Sequence, residues 1–200
     1  PDLVARAKEM GQDALAITDH GNLYGAIQFY EEARKHDLKP ILGIEAYVAQ
    51  GSRFDRGAAD RSQFHLTLLA QNEVGYRNLL KLSTASHLEG FYYKPRMDHE
   101  LLERHSEGLI ALSACPSGEV MSALLEGREQ DALNVAGWYR DVFKDRYYIE
   151  LQEHGLAQFS ALNRPLVDLA RKLDLPLAAT NDSHYTWQHQ YKHHDVLLCI

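Results

Sequence analysis

Residue types that bind metal ions stand at the ends of short apolar segments in five places along the chain. They are Asp19 and His20 after ALAIT, Glu45 after ILGI, His65 before LTLLA, Cys115 after LIALSA, and Asp182 with His184 after LAATN. Imidazole, carboxylate and thiolate groups together suit zinc, or manganese and iron where carboxylates dominate. Metals held in this way lower the pKa of bound water and can hold both oxygens of an in-line phosphoryl displacement.

Each of these residues also has a simpler explanation when it is taken alone. His65 could be a core or capping histidine, Glu45 could pair with an arginine, and Cys115 could be a small buried apolar residue. Two places resist such an explanation, Asp19 next to His20 and Asp182 two residues before His184. All four are ligand types, and residues two apart in an extended chain point to the same side. The coincidence of all five places favours the metal-site hypothesis.

The remaining histidines do not share this pattern, although the chain has 11 histidines in total. His189 and His193 are four residues apart and could chelate a metal on a helix face, but a polar helix start explains them equally well. We expect the others at helix ends or in loops to be solvated surface residues: His36, His87, His99, His105 and His154.

Helical and extended patterns alternate along the chain and indicate an α/β fold. The predicted strands are 14–19, 41–48, 64–70, 108–114, 147–152 and 177–181, and helical patterns separate them. Apolar strands between helices predict a parallel sheet covered on both faces, either open and doubly wound or closed into a barrel. The metal-type residues near five of the six strand ends favour the barrel, because barrel enzymes build one site from many loops.

Two segments between these elements lack clear periodicity. Residues 49–62 are rich in glycine and arginine and are predicted to form a mobile loop, and HLEGFYYKPRMD at 87–98 is predicted to be a further loop. We find no pattern that indicates a second domain, so residues 1–200 are expected to form one domain.

The composition limits the functions that the chain could have. Its net charge of −7, from 28 acidic and 21 basic residues, argues against binding nucleic acid by bulk electrostatics. Two cysteines are too few for a disulfide framework, so each is expected to be a thiol or a ligand. No stretch approaches the ~20 apolar residues of a membrane span, and we expect a cytoplasmic protein without a membrane partner.

Several longer segments resemble one known family. ALAITDHGNLYGAIQFYEEARKHDLKPILGIEAYV, GFYYKPRMD, ALSACPSGEV, ATNDSHY and HDVLLCI are similar to the polymerase and histidinol phosphatase (PHP) domain of bacterial DNA polymerase III alpha subunits. The resemblance covers essentially the whole chain. TDH and NDSH occur across PHP phosphoesterases, whereas GFYYKPRMD and HDVLLCI point to the replicative polymerases.

The resemblance implies a distorted seven-stranded (β/α) barrel of TIM-like type, with up to three divalent metals, zinc or manganese, at its strand ends. It implies as metal ligands His20, Glu45, His65, Cys115, Asp182 and His184. Glu45 would bridge two metals, and Glu45, Asp182 and His184 would be the catalytic residues. Asp19 would orient His20. For the catalytic step, we expect Lys94 or Arg96 to neutralise a phosphate next to the reacting one, although an exposed loop paired with Glu100 or Asp98 explains these two residues equally well.

The resemblance also implies a larger parent protein. The family's first strand, with its His-X-His motif, would precede Pro1, and a polymerase core would follow, so we interpret the chain as a fragment that is incomplete at both ends. The parent would synthesise DNA together with other replicase subunits, and the domain itself would be a metal-dependent 3′-5′ exonuclease or phosphoesterase. The alternatives are a non-catalytic barrel that docks replicase partners and a stand-alone phosphoesterase of the histidinol phosphatase type.

Overall fold

Strands and helices alternate in the computed structural model, which describes residues 1–155 and 157–199. The strands are β1 (Ala14–His20), β2 (Lys39–Ala49), β3 (Gln63–Ala70), β4 (Phe91–Tyr92), β5 (Lys94–Met97), β6 (Leu109–Leu112), β7 (Tyr147–Gln152) and β8 (Leu177–Thr180). The helices are α1 (Asp2–Glu9), α2 (Ala26–Lys35), α3 (Glu73–Leu88), α4 (His99–Arg104), α5 (Glu119–Leu125), α6 (Glu129–Phe143), α7 (Ala157–Leu173) and α8 (Tyr191–Leu197).

One curled sheet contains all of these strands. Its order is β4-β5-β2-β3-β6-β7-β8, and β1 pairs with β2 on the edge that β2 also shares with β5. The sheet forms about half of a barrel, and among the described residues no pairing joins β8 back to β1. The predicted α/β fold with a distorted, barrel-like sheet is thus confirmed.

The direction of β3 departs from the expected parallel arrangement. β3 is antiparallel to both of its neighbours, β2 and β6, whereas β1, β2, β5, β6, β7 and β8 pair in parallel wherever they meet. Because β3 runs in the opposite direction, its first residues lie at the same end of the sheet as the last residues of the parallel strands. His65, near the beginning of β3, therefore lies with residues that come at the ends of other strands.

The helices cover the sheet and enclose a continuous apolar core. Leu66 and Leu68 of β3 are buried in this core together with Phe143 of α6 and Leu166 of α7. A smaller cluster joins α1 to α2 through Val4, Phe29 and neighbouring residues. Within the described residues, no helix is both long enough and apolar enough to cross a membrane.

The segment between β2 and β3 is fixed by two arginines, contrary to the predicted mobile loop. Arg96 is fully buried, and its guanidinium donates hydrogen bonds to the carbonyls of Arg53, Asp55 and Asp60 at 3.2, 2.7 and 2.9 Å. Arg53 in turn binds the buried carboxylate of Asp98 at 2.9 Å. Side chains distant in sequence thus hold the segment, and composition could not reveal them.

The motif GFYYKPRMD forms a hairpin, not the predicted loop. β4 and β5 pair with Phe91 opposite Pro95 and Tyr92 opposite Lys94, so that Tyr93 alone makes the turn. The close approach of Gly21 to this hairpin requires a glycine, because a Cβ there would lie 2.8 Å from Pro95 and 2.9 Å from Tyr47. The hairpin therefore packs directly beside the residue that follows His20.

Candidate metal centre

Glu45 lies at the centre of the candidate site, between two histidines. β1 ends with His20 beside Glu45, and β3 pairs His65 with Tyr47, two residues further along β2. Glu45 Oε1 is 2.7 Å from His65 Nδ1, and Glu45 Oε2 is 3.7 Å from His20 Nε2. Side chains two apart on a strand share a face, so these three ligand types converge on one side of the sheet.

The charges in this cluster favour a carboxylate beside a protonated imidazole. Burial alone would raise the pKa of Glu45, but the hydrogen bond with His65 and the charges of nearby histidines outweigh it and lower that pKa. Burial alone would lower the pKa of His65, but hydrogen bonds with Cys115 and Glu45 raise it to about 9. The site therefore stabilises positive charge at the position where a cation would bind.

Cys115 completes the cluster from the turn that follows β6. Its Sγ lies 3.5 Å from His65 Nδ1. The turn is attached to the beginning of β3, because His65 N donates to Ser117 O at 3.0 Å. Gly118 closes the turn, and a Cβ there would lie 2.2 Å from Ser113 O, so no larger residue fits. The backbone thus fixes the position of the thiol.

Asp19 has a different partner from the one that the resemblance implies. Its Oδ2 accepts a hydrogen bond from Gly25 N at 2.9 Å, immediately before α2. Adjacent residues on a strand point to opposite faces, so Asp19 lies across the sheet from the imidazole of His20. In this geometry Asp19 fixes the beginning of α2, and the His20 ring stacks on Tyr47 with 6.0 Å between the ring centroids.

Asp182 and His184 approach the cluster from an irregular segment after β8. The His184 ring lies 5.8 Å from the ring of His20, and His184 Nδ1 is 2.8 Å from the carbonyl oxygen of Asp182. Asp182 has φ 47°, which is uncommon for a residue other than glycine. The Asp182 and His184 side chains remain 29% and 36% exposed, so this part of the site is open to solvent.

The two predicted phosphate contacts differ in their environments. Lys94 is exposed, and its Nζ lies 5.6 Å from the Tyr47 ring, which in turn is 5.4 Å from the ring of His65. Arg96 is 0% exposed, and its guanidinium binds backbone carbonyls. In this structure Arg96 cannot reach a phosphate, so the predicted contact is retained for Lys94 alone.

The sequence analysis missed Glu150, a buried carboxylate at the end of β7. Glu150 Oε1 accepts hydrogen bonds from Thr180 Oγ1 and, at 3.1 Å, from Gln152 Nε2. Burial raises the pKa of Glu150, and the charge of Asp182 adds to this effect. Its Oε2 is buried without a hydrogen-bond partner in the described chain. An acidic residue inside the otherwise apolar strand YYIELQ was the signal available in the sequence.

Three histidines outside the predicted ligand set also have specific contacts. His194, from α8, has its ring 5.1 Å from that of His184 and was not considered as a site residue. His87 Nε2 lies 3.0 Å from Gly21 O beside the site. His99 stacks on Trp138 at 3.9 Å and lies 2.9 Å from Glu119. The prediction of a solvated surface residue is therefore wrong for His87 and His99, because tertiary contacts supply partners that the sequence cannot indicate.

The donor set fits a divalent metal. His20, Glu45 and His65 each offer a ligand atom, and these atoms lie within 4.8 Å of one another. Ligands bound at about 2.0–2.3 Å to a tetrahedral ion stand roughly 3.3–3.8 Å apart. The 3.7 Å between Glu45 and His20 lies in this range, whereas the 2.7 Å between Glu45 and His65 is a direct hydrogen bond that a metal would have to replace. Ligands from several strands at one rim of a curled α/β sheet define a class, the barrel proteins with a metal centre at their strand ends.

Comparison of sequences identifies the family. The PHP domain profile matches residues 1–154, and the chain belongs to the PHP domain family. The chain is 47% identical over 201 residues to DNA polymerase III subunit alpha of Borreliella burgdorferi, covering 100% of the chain and 18% of that protein. It is 46% identical over 204 residues to the same subunit of Thermus aquaticus, covering 100% and 17%. The chain thus spans less than a fifth of these relatives, and the predicted resemblance is confirmed.

A solved structure supports the fold. A protein from Bifidobacterium adolescentis, described as a metal-dependent phosphoesterase, superposes with a TM-score of 0.55. The match covers 92% of this chain and 82% of that one at 13% identity. At this identity the similarity concerns the arrangement of strands and helices alone.

Proposed function

We propose that the chain is the PHP domain of a replicative DNA polymerase alpha subunit and that its strand-end cluster hydrolyses phosphodiesters at DNA 3′ ends. Whole-chain identity of 40–48% to polymerase III alpha subunits supports the parent assignment. The parent would synthesise DNA with other replicase subunits in the cytoplasm. The observation that carries the hydrolytic role is the convergence of His20, Glu45 and His65 within 4.8 Å, with the Cys115 thiol beside them.

Glu45 has the central role in this proposal. Its two oxygens face different histidines, at 2.7 and 3.7 Å, so one carboxylate can serve two adjacent metal positions. His65 and Cys115 would complete the buried position, and a thiolate with an imidazole favours zinc, whereas added carboxylates suit manganese. When bound, the metals supply activation of water and neutralisation of the charge that develops on phosphate.

Asp182 and His184 would serve the exposed side of the same centre. The His184 ring is 5.8 Å from that of His20, so both can contribute to a position that substrate reaches from solvent. Lys94 would bind a neighbouring phosphate, because its ammonium lies beside Tyr47 at the edge of the cluster. The buried Glu150 accepts a hydrogen bond from Thr180, two residues before Asp182, and would hold that segment in position.

The activity is tested on a primer with a mismatched 3′ nucleotide, with manganese or zinc added to wild-type protein and to Asp182→Asn. We expect the wild type to shorten the primer and Asp182→Asn to do so at least about tenfold more slowly, as for loss of a group that supports metal binding. Asp168→Asn, an exposed carboxylate on α7, is the matched control. Equal degradation by wild type and Asp182→Asn would exclude a catalytic role for this site.

A non-catalytic docking barrel is the second candidate, and one observation favours it. Val196, Leu197 and Leu198 at the end of α8 are 65–71% exposed, an apolar group that would pack against another part of the parent or a partner subunit. Wild-type protein that binds its metals fully and leaves the primer intact would support this role. A stand-alone phosphatase is not supported, because the relatives reported above are polymerase subunits.

A further inference from the structure

The tip of the β4–β5 hairpin exposes an aromatic ring, although its centroid lies 4.8 Å from that of the neighbouring Tyr92. Tyr93 makes the turn alone with φ 60°, and its side chain is 60% exposed. A bulky residue in the left-handed region is a genuine outlier, and such strain clusters at functional sites. Glycine or asparagine would adopt this turn more easily, so the exposed phenol ring requires another explanation.

Two cationic residues lie at this hairpin. The guanidinium carbon of Arg61 lies 5.0 Å from the centroid of the Tyr93 ring. Lys94, the next residue, has its Nζ 5.6 Å from the Tyr47 ring, and Tyr47 contacts both His20 and His65. Among the described residues, neither Arg61 nor Lys94 has a carboxylate within 4.0 Å, so both charges are available to a ligand.

The buried guanidinium of Arg96 sets the position of Arg61. Arg96 Nη1 donates to Asp60 O at 2.9 Å, and Asp60 directly precedes Arg61. Arg96 also donates from Nε to Gly90 O at 3.1 Å, immediately before the hairpin. One buried side chain therefore holds both the segment that carries Arg61 and the hairpin that carries Tyr93, so the ring and the cation are preorganised.

An exposed ring with one cation beside it and a second cationic residue next in the chain has the chemistry of a site for single-stranded nucleic acid. Bases stack on aromatic side chains whatever their sequence, and nearby cations bind the connecting phosphates. The protein is acidic as a whole, with net charge −7, so such binding must be local, as it is here.

We propose that Tyr93, Arg61 and Lys94 form a stacking platform that binds a single-stranded DNA end as it enters the metal centre. A base would stack on the face of Tyr93 opposite Arg61, and Lys94 would bind the phosphate between that base and the cluster. This inference rests on the proposed function, because it assigns the polymeric substrate to the same site. It adds the surface that distinguishes a DNA strand from a simple phosphate ester.

The test compares Tyr93→Asn with Tyr93→Phe. Asparagine tolerates positive φ and removes the ring, whereas phenylalanine keeps the ring and loses only the hydroxyl. Binding of a 5′-dye-labelled oligodeoxythymidylate is measured by fluorescence anisotropy in EDTA, so that no hydrolysis occurs. We expect Tyr93→Asn to weaken binding about tenfold and Tyr93→Phe to stay within about twofold of wild type, as for loss of one stacked base.

The cations are tested by the salt dependence of the same binding. Lys94→Gln should reduce the slope of log K against log salt concentration by about 0.7, the value for one phosphate contact on a single strand. Arg61→Gln should weaken binding by removing the charge beside the ring. Polyglutamate, a polyanion without bases, should compete poorly, and equal competition by polyglutamate would overturn the assignment to nucleic acid.

Hydrolysis of bis(p-nitrophenyl) phosphate separates this inference from the proposed function. Wild type and both Tyr93 variants should hydrolyse this small ester at rates within about twofold of one another, while only Tyr93→Asn loses oligonucleotide binding. Absence of hydrolysis in wild type would contradict the proposed catalytic function. Oligonucleotide binding by the Tyr93 variants would still decide whether Tyr93 forms a stacking platform. Unchanged oligonucleotide binding in Tyr93→Asn, or equal loss in Tyr93→Phe, would overturn the platform.

Discussion

The two sides of the proposed metal centre are built in different ways. On the first side, Glu45 and His65 lie within paired strands, and Glu45 is 7% exposed. On the second side, Asp182 and His184 follow β8 in an irregular segment, and their side chains are about a third exposed. Ladder hydrogen bonds fix the first side before any metal binds, whereas the second side depends on local contacts. We therefore expect the first metal to bind at Glu45 and His65, and the second side to become ordered around later metals.

The largest effect on stability is expected from Arg96→Ala. Arg96 holds the segment that connects β2 with β3, the two strands that carry Glu45 and His65. Arg96 is fully buried and donates to the carbonyls of Gly90, Arg53, Asp55 and Asp60. Buried carbonyls left without donors are costly, so the free energy of unfolding should fall by about 3–5 kcal/mol in urea denaturation.

The matched control for this prediction is Arg77→Ala. Arg77 makes an exposed ion pair with Glu73 within α3, and its loss should change the free energy of unfolding by less than about 0.5 kcal/mol. Similar effects of Arg96→Ala and Arg77→Ala would mean that the hydrogen bonds of Arg96 to the four carbonyls are not formed in solution.

The next effect is expected from Glu45→Gln, which tests whether the first side binds metal first. The amide replaces the carboxylate that faces both His20 and His65, so metal affinity measured by calorimetry should fall at least about 100-fold. Glu73→Gln, an exposed change on α3, should leave the affinity unaltered. If Glu45→Gln retained the tightest site, the proposed order of binding would be reversed.

The pH dependence of the metal-free protein sharpens the comparison further. The pKa of His65 is raised from 6.5 to about 9 in the folded protein, so the protonated imidazole stabilises the fold. This stabilisation is complete below pH 6.5 and is lost as the pH rises through 9. We expect the Tm of metal-free protein to fall across this range, and the fall to become shallower in His65→Gln. Parallel pH profiles for the two proteins would contradict the interaction with Glu45 and Cys115.

The smallest effect on stability is expected from Asp182→Asn on the second side. Because this side chain is partly exposed and lies outside the strands, the free energy of unfolding should change by less than about 0.5 kcal/mol. Metal stoichiometry should nevertheless decrease, since the exposed position loses a carboxylate while the position at Glu45 and His65 remains. A large loss of stability would show that the second side is as rigid as the first.

Periodicity in the sequence predicted most elements because the pattern of apolar residues is local. The strand 147–152 agrees with β7, and helices lie between the predicted strands as the pattern indicated. The β4–β5 hairpin was missed because its strands are short and the turn residue is a tyrosine, whereas glycine and asparagine are the usual turn residues. Glu150 was missed because a single carboxylate in an apolar strand has no periodic signal.

The sequence by itself determined which residue types could bind a metal and that strand ends would carry them, since both follow from neighbouring residues. Only the tertiary structure decided that β3 runs antiparallel, so that His65 at a strand beginning meets Glu45 and His20. It also decided that the buried Arg96 binds backbone carbonyls of the segment between β2 and β3, and that Asp19 binds the backbone at the beginning of α2. Strand direction and side-chain partners depend on contacts between segments far apart in the chain, and no local pattern encodes them.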